Sequence, residues 1–116
     1  MSQSYRFTVA IDPDLPAAQR DALLQTLRDQ RAELHEVESR EPLMITILAI
    51  FAGVQVVAGA ANQVIQLAEK INEWRSKSRA AGVTPDVRLE RSGKPPLDLA
   101  TASDDRVLAW FLEQQT

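Results

Sequence analysis

Residues 42–68 read PLMITILAIFAGVQVVAGAANQVIQLA, and between Glu41 and Glu69 there is no ionisable side chain. A helix that crosses a bilayer needs about 20 predominantly apolar residues, so length alone admits a span over 43–68. Lys70, Arg75, Lys77 and Arg79 follow it, which would leave the C-terminal half on the cytoplasmic side. Ala49 and Gly53, four apart, offer the small-residue contact with which membrane helices pair. The second half of the stretch argues against insertion. Gln55, Asn62, Gln66, Glu69 and Glu73 make one polar stripe on a helix, and Val54, Val57, Ala61, Val64, Ala68 and Ile71 make the opposite apolar one. Only Leu43 to Val54 is apolar all round, the length of a buried core helix. The favoured reading is one helix from Leu43 to about Arg79, broken near Gly53 or Gly59, buried in the protein or at an interface.

The flanking segments read more simply. Tyr5, Phe7, Val9 and Ile11 alternate with Arg6, Thr8 and Ala10, the period of a half-buried strand. Asp12-Pro13-Asp14 breaks it. Asp12 or Asp14 is expected to cap a helix that tolerates Pro16 in its first turn and runs to about Gln30, with Ala17, Leu23, Leu24 and Leu27 on its buried side. A strand is expected near 32–38, closed off by Pro42, which disfavours helix at Glu41. Val83 to Arg91 alternates again, Ser92-Gly93 is a turn signal, and Leu97 and Leu99 flank Asp98 in a returning strand. Ser103 caps a last helix with Asp104 and Asp105 at its positive end and Val107, Leu108, Phe111 and Leu112 as its buried stripe.

The predicted order is therefore β-α-β-α-β-β-α in one domain over 1–116. Its class is α/β in the α+β sense: a small mixed sheet, parallel at the start and antiparallel at the hairpin, with one long apolar helix packed on it. At 116 residues, 45% apolar and 25% charged, the chain is long enough for one modest core. A net charge of −3 argues against nucleic acid as a partner, since phosphate binding needs concentrated basic surface. The absence of cysteine excludes disulfides and thiolate chemistry and suits a reducing compartment. Arg6 and Asp12 interrupt the first dozen residues, so no secretory signal is expected there.

Candidate chemistry is sparse. His35, the only histidine, stands between Glu33 and Glu36 and reads as a solvated surface residue rather than a base or ligand. The pairs Asp12/Asp14 and Asp104/Asp105 sit at helix starts, where capping explains them. Glu36, Glu38 and Glu41 read as a solvated acidic face near Arg31 and Arg40. No nucleophile elbow or glycine-rich phosphate loop occurs. The run Lys70, Arg75, Lys77 and Arg79 around Trp74 could rest on anionic lipid, but cations at a helix C-terminus satisfying the dipole are the commoner case. Trp110 reads as core or interface. No catalytic residue, cofactor or metal is expected.

The strand YRFTVAID, the short helix, and the Ala/Gly/Val-rich segment ending in EWRSKSR stand in a set order. The hairpin PDVRLERSGKPPLDLA and the closing helix SDDRVLAWFL follow them. This order over nearly the whole chain resembles the effector-associated constant component family, small bacterial proteins found beside the effectors of conflict systems. The resemblance implies a non-enzymatic partner component accompanying peptidase-type or other effectors, and it supplies no active site. The expectation is a cytoplasmic adaptor of bacterial defence that binds an effector or forms a homo-oligomer through the long helix. Leu43, Ile47, Ile50, Phe51 and Val54 would make the contact, with Trp74 near one end. The alternative is an inner-membrane-associated protein that inserts 43–68 into a bilayer.

Overall fold

A computed structural model describes residues 5–38, 44–51 and 60–113. The described residues form β1 (Tyr5–Ile11), α1 (Ala17–Asp29), β2 (Glu33–Val37), β3 (Ile45–Phe51), α2 (Ala60–Ala80), β4 (Val87–Arg91), β5 (Lys94–Asp98) and α3 (Asp104–Glu113). The class is α+β: a five-stranded sheet of order β2-β3-β1-β4-β5 with three helices.

The stretch that decides the fold divides differently from the expectation. Residues 45–51, ITILAIF, are a strand and not the start of a helix, so no long apolar helix forms. Ile45, Thr46, Ile47 and Ile50 are β-branched and stiff at χ1, which disfavours a helix and suits a pleated surface. As a strand, β3 lies between β1 and β2, and its apolar residues divide between the helix-covered face (Ile45, Ile47, Ala49, Phe51) and the opposite one (Leu48, Ile50). Helix resumes only at Ala60. The break expected near Gly53 or Gly59 lies outside the described residues.

The extra strand also changes the pairing. All four ladders are antiparallel, so the sheet is not mixed. β1 and β2 do run the same way, as a helical crossover requires, but β3 is inserted between them and pairs antiparallel with each. The order β1-α1-β2-β3-α2-β4 with strands arranged β2-β3-β1-β4 is the split β-α-β, or ferredoxin-like, arrangement. β5 and α3 extend it.

Alternation along the strands sends one face to the helices. Phe7, Val9 and Ile11 of β1, Ala49 and Phe51 of β3, Val87 and Leu89 of β4 and Leu97 of β5 are buried there. They meet Leu23 and Leu27 of α1, Val64, Leu67, Ala68 and Ile71 of α2, and Val107, Trp110 and Phe111 of α3 in one cluster. Phe7 is its centre: Phe51 stacks on it at 5.7 Å, and Trp110 and Phe111 present edges at 5.8 and 5.4 Å. The stripe of α3 is thus turned slightly from the expected one, with Trp110 buried and Leu108 and Leu112 at its margin. From Val64 onward the apolar and polar stripes of α2 fall as expected: Val64, Ala68 and Ile71 are buried, and Gln66, Glu69 and Glu73 are exposed; Val54, Gln55 and Val57 lie outside the described residues.

Helix ends follow backbone demands more than side-chain caps. Neither Asp12 nor Asp14 caps α1; Pro16 occupies the N-cap position and no side chain caps it. The Asp12 carboxylate accepts instead from the Asp14 N–H at 2.8 Å, closing the turn after β1. Ser103 does cap α3, its Oγ accepting from Arg106 N–H at 3.1 Å. Helix α2 closes in a Schellman motif, Val83 N–H donating to Ser78 O and Gly82 N–H to Arg79 O, with Gly82 at φ 77°. Helix α1 closes the same way, but its left-handed position is filled by Arg31 at φ 68°.

Candidate interaction surface

The period of two that buries Phe7, Val9 and Ile11 turns their neighbours to the opposite face, and all three described helices lie on the first. The helix-free face carries three cross-strand rows set by the registers. The first is Glu33, Ile50 and Arg6; the second is His35, Leu48, Thr8 and Glu90; the third is Val37, Thr46, Ala10, Arg88 and Asp98. Leu48, Ile50 and Val37 are half-buried and do not belong to the core cluster. They form a short apolar strip along β3 and β2, bounded by charge. Toward β2, His35 Nε2 lies 3.3 Å from the exposed Glu33 carboxylate; toward β4, Arg88 Nε lies 3.5 Å from Glu90. The rings of Phe7, Phe51, Phe111, Trp74 and Trp110 are all in the core, and among the described rings only the His35 imidazole lies on this face.

Of the six residues expected to contact a partner, four are described, and the structure leaves one of these on an accessible face. Ile50 is on the helix-free side. Ile47 points to the helices and packs against the core; Phe51 is 4% exposed and stacked on Phe7. Trp74 is buried between α1 and α2, its Nε1–H donating to Gln19 O at 2.9 Å. Leu43 and Val54 lie outside the described residues. The reassignment follows from β3: helical spacing grouped Ile47, Ile50 and Phe51 on one face, while strand spacing separates Ile50 from the other two. Leu48, missed by the helical reading, becomes Ile50's neighbour for the same reason.

Arg75, one of the cations expected to satisfy the dipole at the helix C-terminus, is fully buried. Its Nε donates to Leu99 O at 2.9 Å, one Nη to Asn72 Oδ1 at 2.7 Å and Asp104 Oδ1 at 3.1 Å, and the other Nη to Ala102 O. Burial pulls its pKa down, the Arg79 charge adds to that, and Asp104 opposes it. The arginine thereby ties α2 to the β5–α3 connection. Its sequence signal was present: Val64, Ala68, Ile71 and Arg75 are spaced four, three and four, which places Arg75 in the apolar stripe.

Elsewhere the chemistry is neutralised locally. A groove of about 260 Å³ between α1 and α2 is lined by Ala22, Thr26, Asp29, Gln30, Lys70, Glu73, Trp74 and Lys77. Glu73 is held below the usual carboxyl range, first by the hydrogen bond from Lys77 at 3.1 Å and then by the charge of Lys70 at 3.5 Å. The groove's Glu73 carboxylate is thus already paired, and its Asp29 carboxylate accepts from Gln25 Nε2 at 2.8 Å. Asp86 is pushed up by partial burial and by Asp12, Asp98 and Asp14 nearby. Asp12 and Asp98 each accept a backbone N–H at a turn. Among the described residues, no group of three or more metal-ligating side chains converges. No described helix is long and apolar enough to cross a membrane, and a single helical span over 43–68 is not formed, because 45–51 is a sheet strand.

No family model, curated protein or solved structure matches the chain.

Proposed function

We propose that this chain is a non-enzymatic interaction component, a cytoplasmic adaptor in a bacterial conflict or defence system, which binds a protein partner through the helix-free face of its sheet. The partner is an effector, of peptidase type or another, or a second copy of the chain. The observation that carries the reading is the strip of Val37, Leu48 and Ile50, left half-buried on a face that no described helix covers. The resemblance in the order and wording of the segments supplies the biological setting. The long-helix contact first expected gives way to the sheet face, since the helix is not there to make it.

Covering an apolar side chain is worth about 1.5–3 kcal/mol for complete burial, so two half-buried ones can act as the anchors of a small interface. The test is co-purification of the tagged chain with the products of adjacent genes, with light scattering to read self-association. Replacing Leu48→Glu and Ile50→Glu together should leave the fold intact by circular dichroism. It should weaken association at least about tenfold, the loss of one anchor of about 1.4 kcal/mol. A wild-type chain that is monomeric and captures no partner, or a double variant that binds undiminished, overturns the reading.

A further inference from the structure

The two edges of the sheet are built differently. β5 reads KPPLD, and its exposed Pro95 and Pro96 have no N–H to offer a further strand. β2 reads ELHEV and has an N–H at every residue, with alternate ones turned away from β3. Among the described residues, no backbone hydrogen bond outside the ladder with β3 reaches Glu33–Val37. Among the described residues, one edge is therefore closed to strand addition by its composition and the other is open to it.

We infer that the β2 edge accepts an extended, positively charged segment of a protein partner as a sixth strand. This rests on the proposed role as an interaction component and names the chemistry of the segment it would hold. The charge of the edge selects the occupant. Glu33, Glu36 and Glu38 are exposed, and residues 33–38 contain no lysine or arginine. Antiparallel pairing of β2 with its own copy would bring two such acidic strands together, and like charges across a ladder are destabilising. A basic strand gains cross-strand ion pairs at the same positions, while its backbone takes up the outward N–H and C=O groups. Leu34 and Val37, half-buried on opposite faces, add an apolar neighbour on each side. The five residues of β2 span about 17 Å, enough for about four to six hydrogen bonds with an added strand.

The probe is a fluorescein-labelled seven-residue peptide of alternating lysine and valine, titrated into the full chain at low salt and followed by anisotropy. Two further peptides accompany it. One has the same sequence N-methylated at every central residue, which keeps charge and side chains but removes the donors. The other alternates glutamate and valine. The expected result is binding of the basic peptide, with amide exchange slowed on β2, and at least tenfold weaker binding of each of the other two. The variant Glu36→Lys/Glu38→Lys should reverse the preference and take the acidic peptide. Equal binding of the N-methylated peptide, protection falling away from β2, or no binding at all overturns the inference. If the peptide fails while the native partner still co-purifies through Ile50, the edge inference falls and the interaction reading stands. A chain that takes the peptide but has no native partner does the reverse.

Discussion

Removing the guanidinium of Arg75 while keeping the bulk of its stem isolates what the buried cation contributes. In Arg75→Met the carbonyls of Leu99 and Ala102 and the Asn72 Oδ1 lose their donor together. A buried acceptor left unsatisfied costs about 1–3 kcal/mol. Leu99 is fully buried, whereas Ala102 is only half so and can recruit water, so the two carbonyls together cost about 2–4 kcal/mol. Asp104 adds little, because its side chain is 75% exposed and its carboxylate returns to water when the partner goes. Against this stands the relief of burying a charge, and replacing an entire buried pair with apolar groups can be neutral. Here the acceptors stay behind, so the loss wins. The expected net is a destabilisation of about 2–3 kcal/mol, a large share of the 5–15 kcal/mol typical of a domain. Urea unfolding followed by tryptophan fluorescence reads it as a lowered midpoint at unchanged slope. Asp104→Asn serves as the contrast and should cost less than about 1 kcal/mol. A Met variant within about 0.5 kcal/mol of wild type would refute the argument, since the carbonyls would then be satisfied without the arginine.

Two other substitutions probe the backbone and the charge of the scaffold. Arg31 is exposed and sits at φ 68° in the cap of α1, so Arg31→Gly relieves left-handed strain and should raise stability by about 0.5–1 kcal/mol in the same unfolding assay; a loss would mean the side chain makes a contact worth more than the strain. Asp86 has a raised folded-state pKa, so its ionised form weakens the fold: the penalty is absent below the unfolded carboxyl range and complete once pH has risen past the folded value. Asp86→Asn should therefore be the more stable protein at pH 7, by a small margin because the exposed carboxylate is screened by solvent, and the gap should close as pH falls to about 3; a gap that widens in acid would reverse the sign.

Much of this architecture was legible in the residues. The alternation of Tyr5 to Ile11, the turn signal at Ser92-Gly93, the cap at Ser103 and the two stripes of α2 each rest on local chemistry that tertiary context did not override. Where the reading failed, an apolar run had no period to read. ITILAIF is apolar on every side, so helix and strand fit it equally by pattern, and only its β-branched residues favoured the strand. That one choice carried the expected contact residues with it, because the two periods distribute the same side chains to different faces.

By itself, then, the sequence determined the α+β class and the two terminal elements, the strand over Tyr5–Ile11 and the helix over Asp104–Glu113. Tertiary structure alone decided three things. It placed 45–51 between β1 and β2, since strand adjacency depends on which edges remain unpaired after the crossover. It buried Arg75, since the carbonyls that satisfy it come from the β5–α3 connection, 24 to 27 residues away in the chain. And it exposed the strip of Val37, Leu48 and Ile50, since all three described helices pack on the other face, a matter of how layers cover one another that no local pattern records.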